Sequence, residues 1–289
     1  MSEDRVLHAL AWDDNVRIVA ADMTQTVRDA VEIHGTALTS SAALGRVLMA
    51  ARLMQATVKD TERVTLQFKG FGQTGLLLGR AEPTGDVYGS IQNPEADPPM
   101  LENGKLDVGA AVGWAGEMMV VRDTSEGAEP YVGVTEIVSG EISEDLAHYL
   151  VTSEQINSAV ALGVNFDPEG KVLAAGGIIV QILGGVDEET VALLEERIRT
   201  LSNLSQRLSE GASAETLIQL VGGEDARILS ERPVRYFCDR SRDYYLQRLQ
   251  RLDSNTLIEL FESDETIELR CEFTRETYHF RRDEFLTIH

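Results

Sequence analysis

The chain has 289 residues, 43% of them hydrophobic and 26% charged, enough to bury a sizeable core and to divide into one large and one small domain. Its 48 acidic residues against 26 basic ones give a formal net charge of −22, which repels phosphate backbones and argues against a nucleic-acid partner. No apolar run approaches the roughly 18 residues of a membrane span, and the N-terminus MSEDRVLHAL lacks the basic-then-apolar order of a secretion signal, so a cytoplasmic protein with no membrane partner is expected.

The charge is uneven: residues 231–289 hold ten Arg and thirteen Asp or Glu, net −3, leaving −19 for the rest. Lysine occurs only at positions 59, 69, 105 and 171. An acid-rich, Lys-poor surface fits a protein that stays soluble while exposing apolar surface, and it equally fits a salty cytoplasm.

Residues 15–23 (NVRIVAADM) predict a strand, and Thr24 is placed to cap a helix that stops at Gly35. Residues 40–58 predict a different helix, whose apolar positions (Ala42, Leu44, Val47, Leu48, Met49, Leu53 and Met54 among them) wrap nearly round the cylinder. Such a helix is buried on most sides, sandwiched between layers. From Glu62 the period becomes two, with Val64, Leu66 and Phe68 alternating with polar neighbours, and GLLLGRAE and DVYGSIQNP flank a turn at 83–85. The glycines here are too scattered for a phosphate-cradling loop.

Residues 93–106 read as a proline-containing loop, and 116–123 and 130–140 as strands joined by an acidic turn at 124–129. Ser143 opens a short helix with acids in its first turn. Residues 156–166 and 171–183 predict a hairpin across Asp-Pro-Glu-Gly. Residues 187–209 predict one amphipathic helix with an apolar stripe of Val191, Leu194, Ile198, Leu201 and Leu208. That stripe must dock on its own chain or on a second copy, which leaves a swapped homodimer open. A helix at 214–221 ends at Gly222-Gly223, and 224–232 reads as a hinge.

The chain's two cysteines, Cys238 and Cys271, lie in the last quarter, and each looks like half of a metal-binding pair. A Cys-x-Cys would need a thiol at Arg240, and a Cys-x-x-Cys one at Thr274. Four thiolates make a closed tetrahedral zinc site, whereas two alone do not. Two lone cysteines are also ordinary small buried hydrophobes. His279 follows Cys271 closely enough for a thiol-hydrolase reading, but His8, His34, His148 and His289 show no ligand spacing and there is no His-Glu-x-x-His. No catalytic residue is assigned, and an enzyme is not expected.

Three stretches taken together carry a resemblance: YLVTSEQINSA at 149–159, AAGGIIVQIL at 174–183, and the tail FCDRSR at 237–242 with CEFTRETYHF at 271–280. LGRVLMAARLM at 44–54 and LQFKGFGQTG at 66–75 agree with them. The chain resembles the 33 kDa chaperonin family, the redox-regulated heat-shock holdases of bacteria. The resemblance implies an ATP-independent chaperone for unfolded or partly folded client proteins. It also implies an α+β fold: a core domain over 1–184 with sheets packed around a largely buried helix, a helical linker over 185–230, and a small C-terminal α/β domain of zinc-switch type over 231–289.

In the family, four cysteines of that small domain hold zinc until oxidation releases it and unfolds domain and linker. Here Arg240 and Thr274 stand at the second position of each pair. Zinc at Cys238 and Cys271 is therefore an incomplete site, with Asp239 or His279 as the available completions, and no cofactor is expected. Without metal the small domain must hold itself by packing Tyr245, Leu249 and Leu252, Leu257, Leu260 and Phe261, and Phe273, Tyr278 and Phe280. A Cys238–Cys271 disulfide would fasten it by roughly 3–4 kcal/mol, opposite in sense to the family's unfolding switch. The expected client-binding region is the stripe Val191, Leu194, Ile198 and Leu201. The alternative is a scaffold that binds one defined partner through the same fold.

Overall fold

The computed structural model describes residues 3–124, 129–261 and 265–285, so most of the acidic turn expected at 124–129 lies outside the described residues. The chain divides into two compact units, Met1–Tyr236 and Phe237–His289. In chain order the first unit opens with β1 (Arg5–Ala11), β2 (Val16–Asp22), α1 (Thr24–His34) and α2 (Leu38–Gln55). There follow β3 (Glu62–Gly70), β4 (Leu76–Ala81), β5 (Asp86–Ile91), α3 (Val108–Val112), β6 (Gly116–Thr124), β7 (Tyr131–Glu136) and α4 (Ser143–Thr152). The unit closes with β8 (Ser158–Phe166), β9 (Val172–Ile182), α5 (Glu188–Arg199), α6 (Leu204–Ser209), α7 (Ala214–Gly222), β10 (Arg227–Pro233) and β11 (Arg235–Tyr236).

Two sheets form, in the orders β10-β1-β2-β9-β8 and β11-β5-β4-β3-β6-β7. Between them runs α2, packed on β3, β4 and β5 of one sheet and on β2, β8 and β9 of the other. The all-round apolar helix is thus the middle layer, and every residue from Thr39 to Gln55 except Arg46 is buried. Gly79 on β4 permits the close approach: a Cβ there would lie 2.7 Å from both the Val47 side chain and its carbonyl oxygen.

The first sheet is covered on both faces, which explains the near-continuous burial along β2. Val6, Val19, Ala21 and Ile179 join the α2 layer. Leu7, Ile18, Ala20, Ile178 and Val180 instead form a second core with Leu194, Leu201, Leu204, Leu208, Leu217 and Val221 from α5 to α7. The stripe on 187–209 therefore docks on its own chain.

Three local expectations are corrected. The single helix over 187–209 is interrupted by a 3-10 turn at Thr200–Asn203. Thr200 donates its hydroxyl to the Arg197 carbonyl at 2.6 Å, and its own carbonyl accepts from Arg207, local bonds that compete with the helical ladder. The hinge at 224–232 is largely β10, paired antiparallel with β1, a strand the sequence did not announce. Neither segment carries a decisive period; pairing fixes both, with Arg5 of β1 bonded to Glu231 at 3.0 Å. Finally, Thr24 is the first residue of α1 rather than its cap. The Asp4 carboxylate takes the Gln25 and Thr26 N–H groups instead, and Gly35 ends the helix at φ 61° as expected.

The second unit contains α8 (Arg242–Leu249), α9 (Ser254–Leu260) and a hairpin of β12 (Thr266–Arg270) and β13 (Thr277–Arg281). Ser241 and Asp253 cap the two helices. Its core is Leu249, Phe261, Phe280 and Phe285, with Tyr245, Leu246, Leu257 and Tyr278 packed against it. Leu252 and Leu260, expected inside, are exposed.

Candidate thiol site

Cys271 follows β12 and starts a tight turn in which its N–H bonds to the Glu276 carbonyl at 2.8 Å and its carbonyl accepts from Arg275 N–H at 3.0 Å. The same turn directs the Thr274 N–H at the Cys271 Sγ, 3.5 Å away. Cys238 lies on the extended segment before α8, half-buried, while Cys271 is completely buried; both are free thiols.

The two cysteines are brought together. The Cys238 thiol and the Thr274 and Tyr245 side chains lie around the Cys271 sulfur within reach of hydrogen bonding. These donors hold the Cys271 thiol well below the usual cysteine range, the Cys238 bond contributing most, although burial pulls the other way. The Cys238 thiol is pushed up, because its proton is held in that bond and because it is buried. Tyr245 is likewise raised, first by burial and then by its bond to Cys271. Of the two neighbouring thiols, Cys271 is the more acidic and Cys238 the less.

The residues at the two missing cysteine positions support this pair. Thr274 contributes two of the donors. Arg240 lays its guanidinium 4.2 Å from the Phe273 ring centroid and 5.6 Å from that of Tyr244, and pairs with Glu272 at 3.6 Å. It also bonds to the Tyr245 hydroxyl, placing a positive charge one step from the sulfur. Further out, Arg242 grips both Glu284 oxygens at 2.7 Å and the His279 carbonyl at 2.9 Å.

The available completions of a zinc site are not gathered: Asp239 and His279 are exposed, and β13 turns His279 away from buried Phe280. Among the described residues no group of three or more His, Cys, Asp or Glu is placed to hold a metal ion. Two thiols with no third ligand beside them do not make up the four ligands of a closed tetrahedral site. A Cys271–His279 thiol-enzyme pair finds no support in the same geometry.

Of the expected client-binding residues, Leu194 and Leu201 are buried in the second core, Ile198 packs against it and Val191 is half-buried. The sequence reading missed that Tyr245 serves through its hydroxyl as well as its ring; a tyrosine facing a buried cysteine was the available signal. Among the described residues no helix is long and apolar enough to cross a membrane.

Comparison with known proteins gives a consistent answer. The profile of the Hsp33 protein family matches residues 4–281. The 33 kDa chaperonin of Bacillus licheniformis is 37% identical over 281 residues, covering 97% of each chain. That of Clostridium perfringens is 41% identical over 284 residues, 97% of this chain and 90% of its own. The crystal structure of the 33 kDa chaperonin from Thermotoga maritima superposes with a TM-score of 0.88 at 30% identity, over 98% of this chain and 97% of that one. On this fold and these matches, the chain belongs to the Hsp33 family of chaperones.

Proposed function

We propose that this chain is an ATP-independent holdase that binds unfolding proteins and prevents their aggregation, and that it does so without zinc. The observation that carries the reading is the two-sided burial of the first sheet. Segments α5 to α7 cover its outer face by side-chain packing, so their release uncovers Leu7, Ile18, Ile178 and Val180 together with the helices' own Leu194, Leu201 and Leu208. That makes a broad apolar surface of the kind an unfolded segment binds. The high negative charge keeps a protein with such a surface soluble.

The thiol pair sets the redox behaviour. A peroxide takes two electrons from it: the Cys271 sulfur attacks one oxygen and the other leaves as hydroxide, giving a sulfenic acid. Cys238, losing its proton, then displaces the sulfenic hydroxyl as water and closes an S–S bond. The bond fastens residues 238–271 rather than releasing them, so peroxide does not switch client binding on.

The test is light scattering of a thermally unfolding client with reduced and peroxide-treated protein, without ATP. Suppression of similar extent in both samples is expected. No suppression in either removes the holdase reading, and activation by peroxide alone removes the redox reading.

A further inference from the structure

The thiol pair is too small a ligand set for zinc, yet its surroundings suit deprotonated sulfur. Cys238 and Cys271 lie within hydrogen-bonding reach of each other. Each sulfur is also faced by the backbone N–H of a residue just after it in the chain, Arg240 for Cys238 and Thr274 for Cys271, the latter at 3.5 Å. Hydrogen bonds to a charged acceptor are the stronger ones, so N–H groups aimed at sulfur favour a thiolate. The Thr274 and Tyr245 side chains flank the Cys271 sulfur. Cys271 is completely buried and Phe273 in the same turn nearly so, while half-buried Cys238 leaves a way in from solvent.

What stands beside the pair decides which ion fits it. Among the described residues no third His, Cys, Asp or Glu joins the two thiols in a group that could hold a metal ion. The seven methionines all belong to the first unit, so the second supplies no thioether either. Zinc is left two ligands short. Cupric ion prefers nitrogen and oxygen ligands in a square plane, and none is gathered here. Cuprous ion is soft, monovalent and without a d-electron preference for geometry; it selects thiolates, and two sulfurs in a line complete its coordination.

We propose that Cys238 and Cys271 form a two-coordinate site for a soft monovalent metal ion, Cu(I). Binding breaks two S–H bonds and forms two S–Cu bonds; two protons pass to solvent and no electron moves. The S–Cu–S unit carries one negative charge, met by the Arg240 and Thr274 N–H groups. The Arg240 guanidinium, 4.2 Å from the Phe273 ring centroid, adds a positive charge nearby that it shares with exposed Glu272. A bridging ion holds the sulfurs slightly further apart than a hydrogen bond does, a movement open to Cys238 on its segment outside helix and strand. Copper so bound ties that segment to the turn after β12 and, by occupying both sulfurs, blocks the disulfide that peroxide would form.

The test is an anaerobic competition on reduced, full-length protein, with Cu(I) offered as its coloured bicinchoninate complex. The protein is expected to withdraw one Cu(I) per chain from the chelator. Cys238→Ala removes one ligand and should weaken Cu(I) binding by more than about 100-fold, beyond the roughly 10–100-fold cost of altering a residue that only supports a ligand. X-ray absorption of the copper-loaded wild type gives a reading independent of how the variant folds: Cu(I) with two sulfur neighbours and no nitrogen or oxygen is expected. No withdrawal of copper from the chelator, or withdrawal undiminished in Cys238→Ala, would overturn the proposal. So would three or more ligands at the copper, or copper-bridged pairs of chains on size-exclusion chromatography.

Discussion

Removing Cys271 should damage the second unit far more than removing Cys238, although both belong to one pair. Cys271→Ala deletes the acceptor of the Cys238 thiol, the Tyr245 and Thr274 hydroxyls and the Thr274 N–H. A hydrogen bond to a charged acceptor contributes about 1.5–3 kcal/mol, and a buried donor left without a partner costs about 1–3 kcal/mol. Allowing the more accessible donors to rehydrate, the loss is about 4 kcal/mol. A unit of this size has a total stability of roughly 3–8 kcal/mol, so much or all of it is lost. Cys238→Ala removes one donor and leaves the others, a cost of about 1–2 kcal/mol.

Trp12 and Trp114 both lie in the first unit, so tryptophan fluorescence reports that unit alone. Amide hydrogen exchange read peptide by peptide reports the second. Protection across α8 and β13 should collapse in Cys271→Ala and survive in Cys238→Ala, with fluorescence unchanged in both. Equal collapse in the two variants would refute the reasoning, because a shared metal loses a ligand equally from either side.

Arg240→Cys with Thr274→Cys should restore four thiolates and bind close to one zinc per chain, measured by metal analysis; a double variant that stays metal-free would mean the turn no longer fits a tetrahedral site. Glu284 is held below the usual carboxylate value of 4.5 by Arg242 and by the Arg281 N–H. A depressed folded-state value contributes stability above 4.5 that is lost as pH falls through it, so acidification should loosen the second unit in hydrogen exchange, and Glu284→Gln should flatten that dependence. Leu201→Asp places a charge in the core under α5 to α7 and should free that cover, raising the binding of an apolar dye and the suppression of client aggregation in the reduced protein. A variant with unchanged dye binding would argue against release of that cover.

Much of the fold was legible because burial leaves a periodic trace. The run from Ala42 to Met54 has no polar face wide enough for solvent, and α2 is accordingly the middle layer. Strand β10 was not legible: Ile228 and Leu229 are both exposed, and the segment is a strand only because β1 pairs with it. The thiol site was legible as a deficiency, since spacing shows which cysteines are missing but not what replaces their work. That Thr274 and Tyr245 aim hydroxyls at one sulfur, or that Arg240 stacks on Phe273, depends on the turn after β12 meeting the start of α8.

The most direct test of the central claim, a second unit that is folded without metal, is zinc content and free-thiol count on purified, reduced, full-length protein. The account predicts far less than one zinc per chain, two titratable thiols after unfolding, and a hydrogen-exchange pattern unchanged by chelator. Zinc near one per chain, with loss of protection in α8 and β13 when it is chelated, would contradict it.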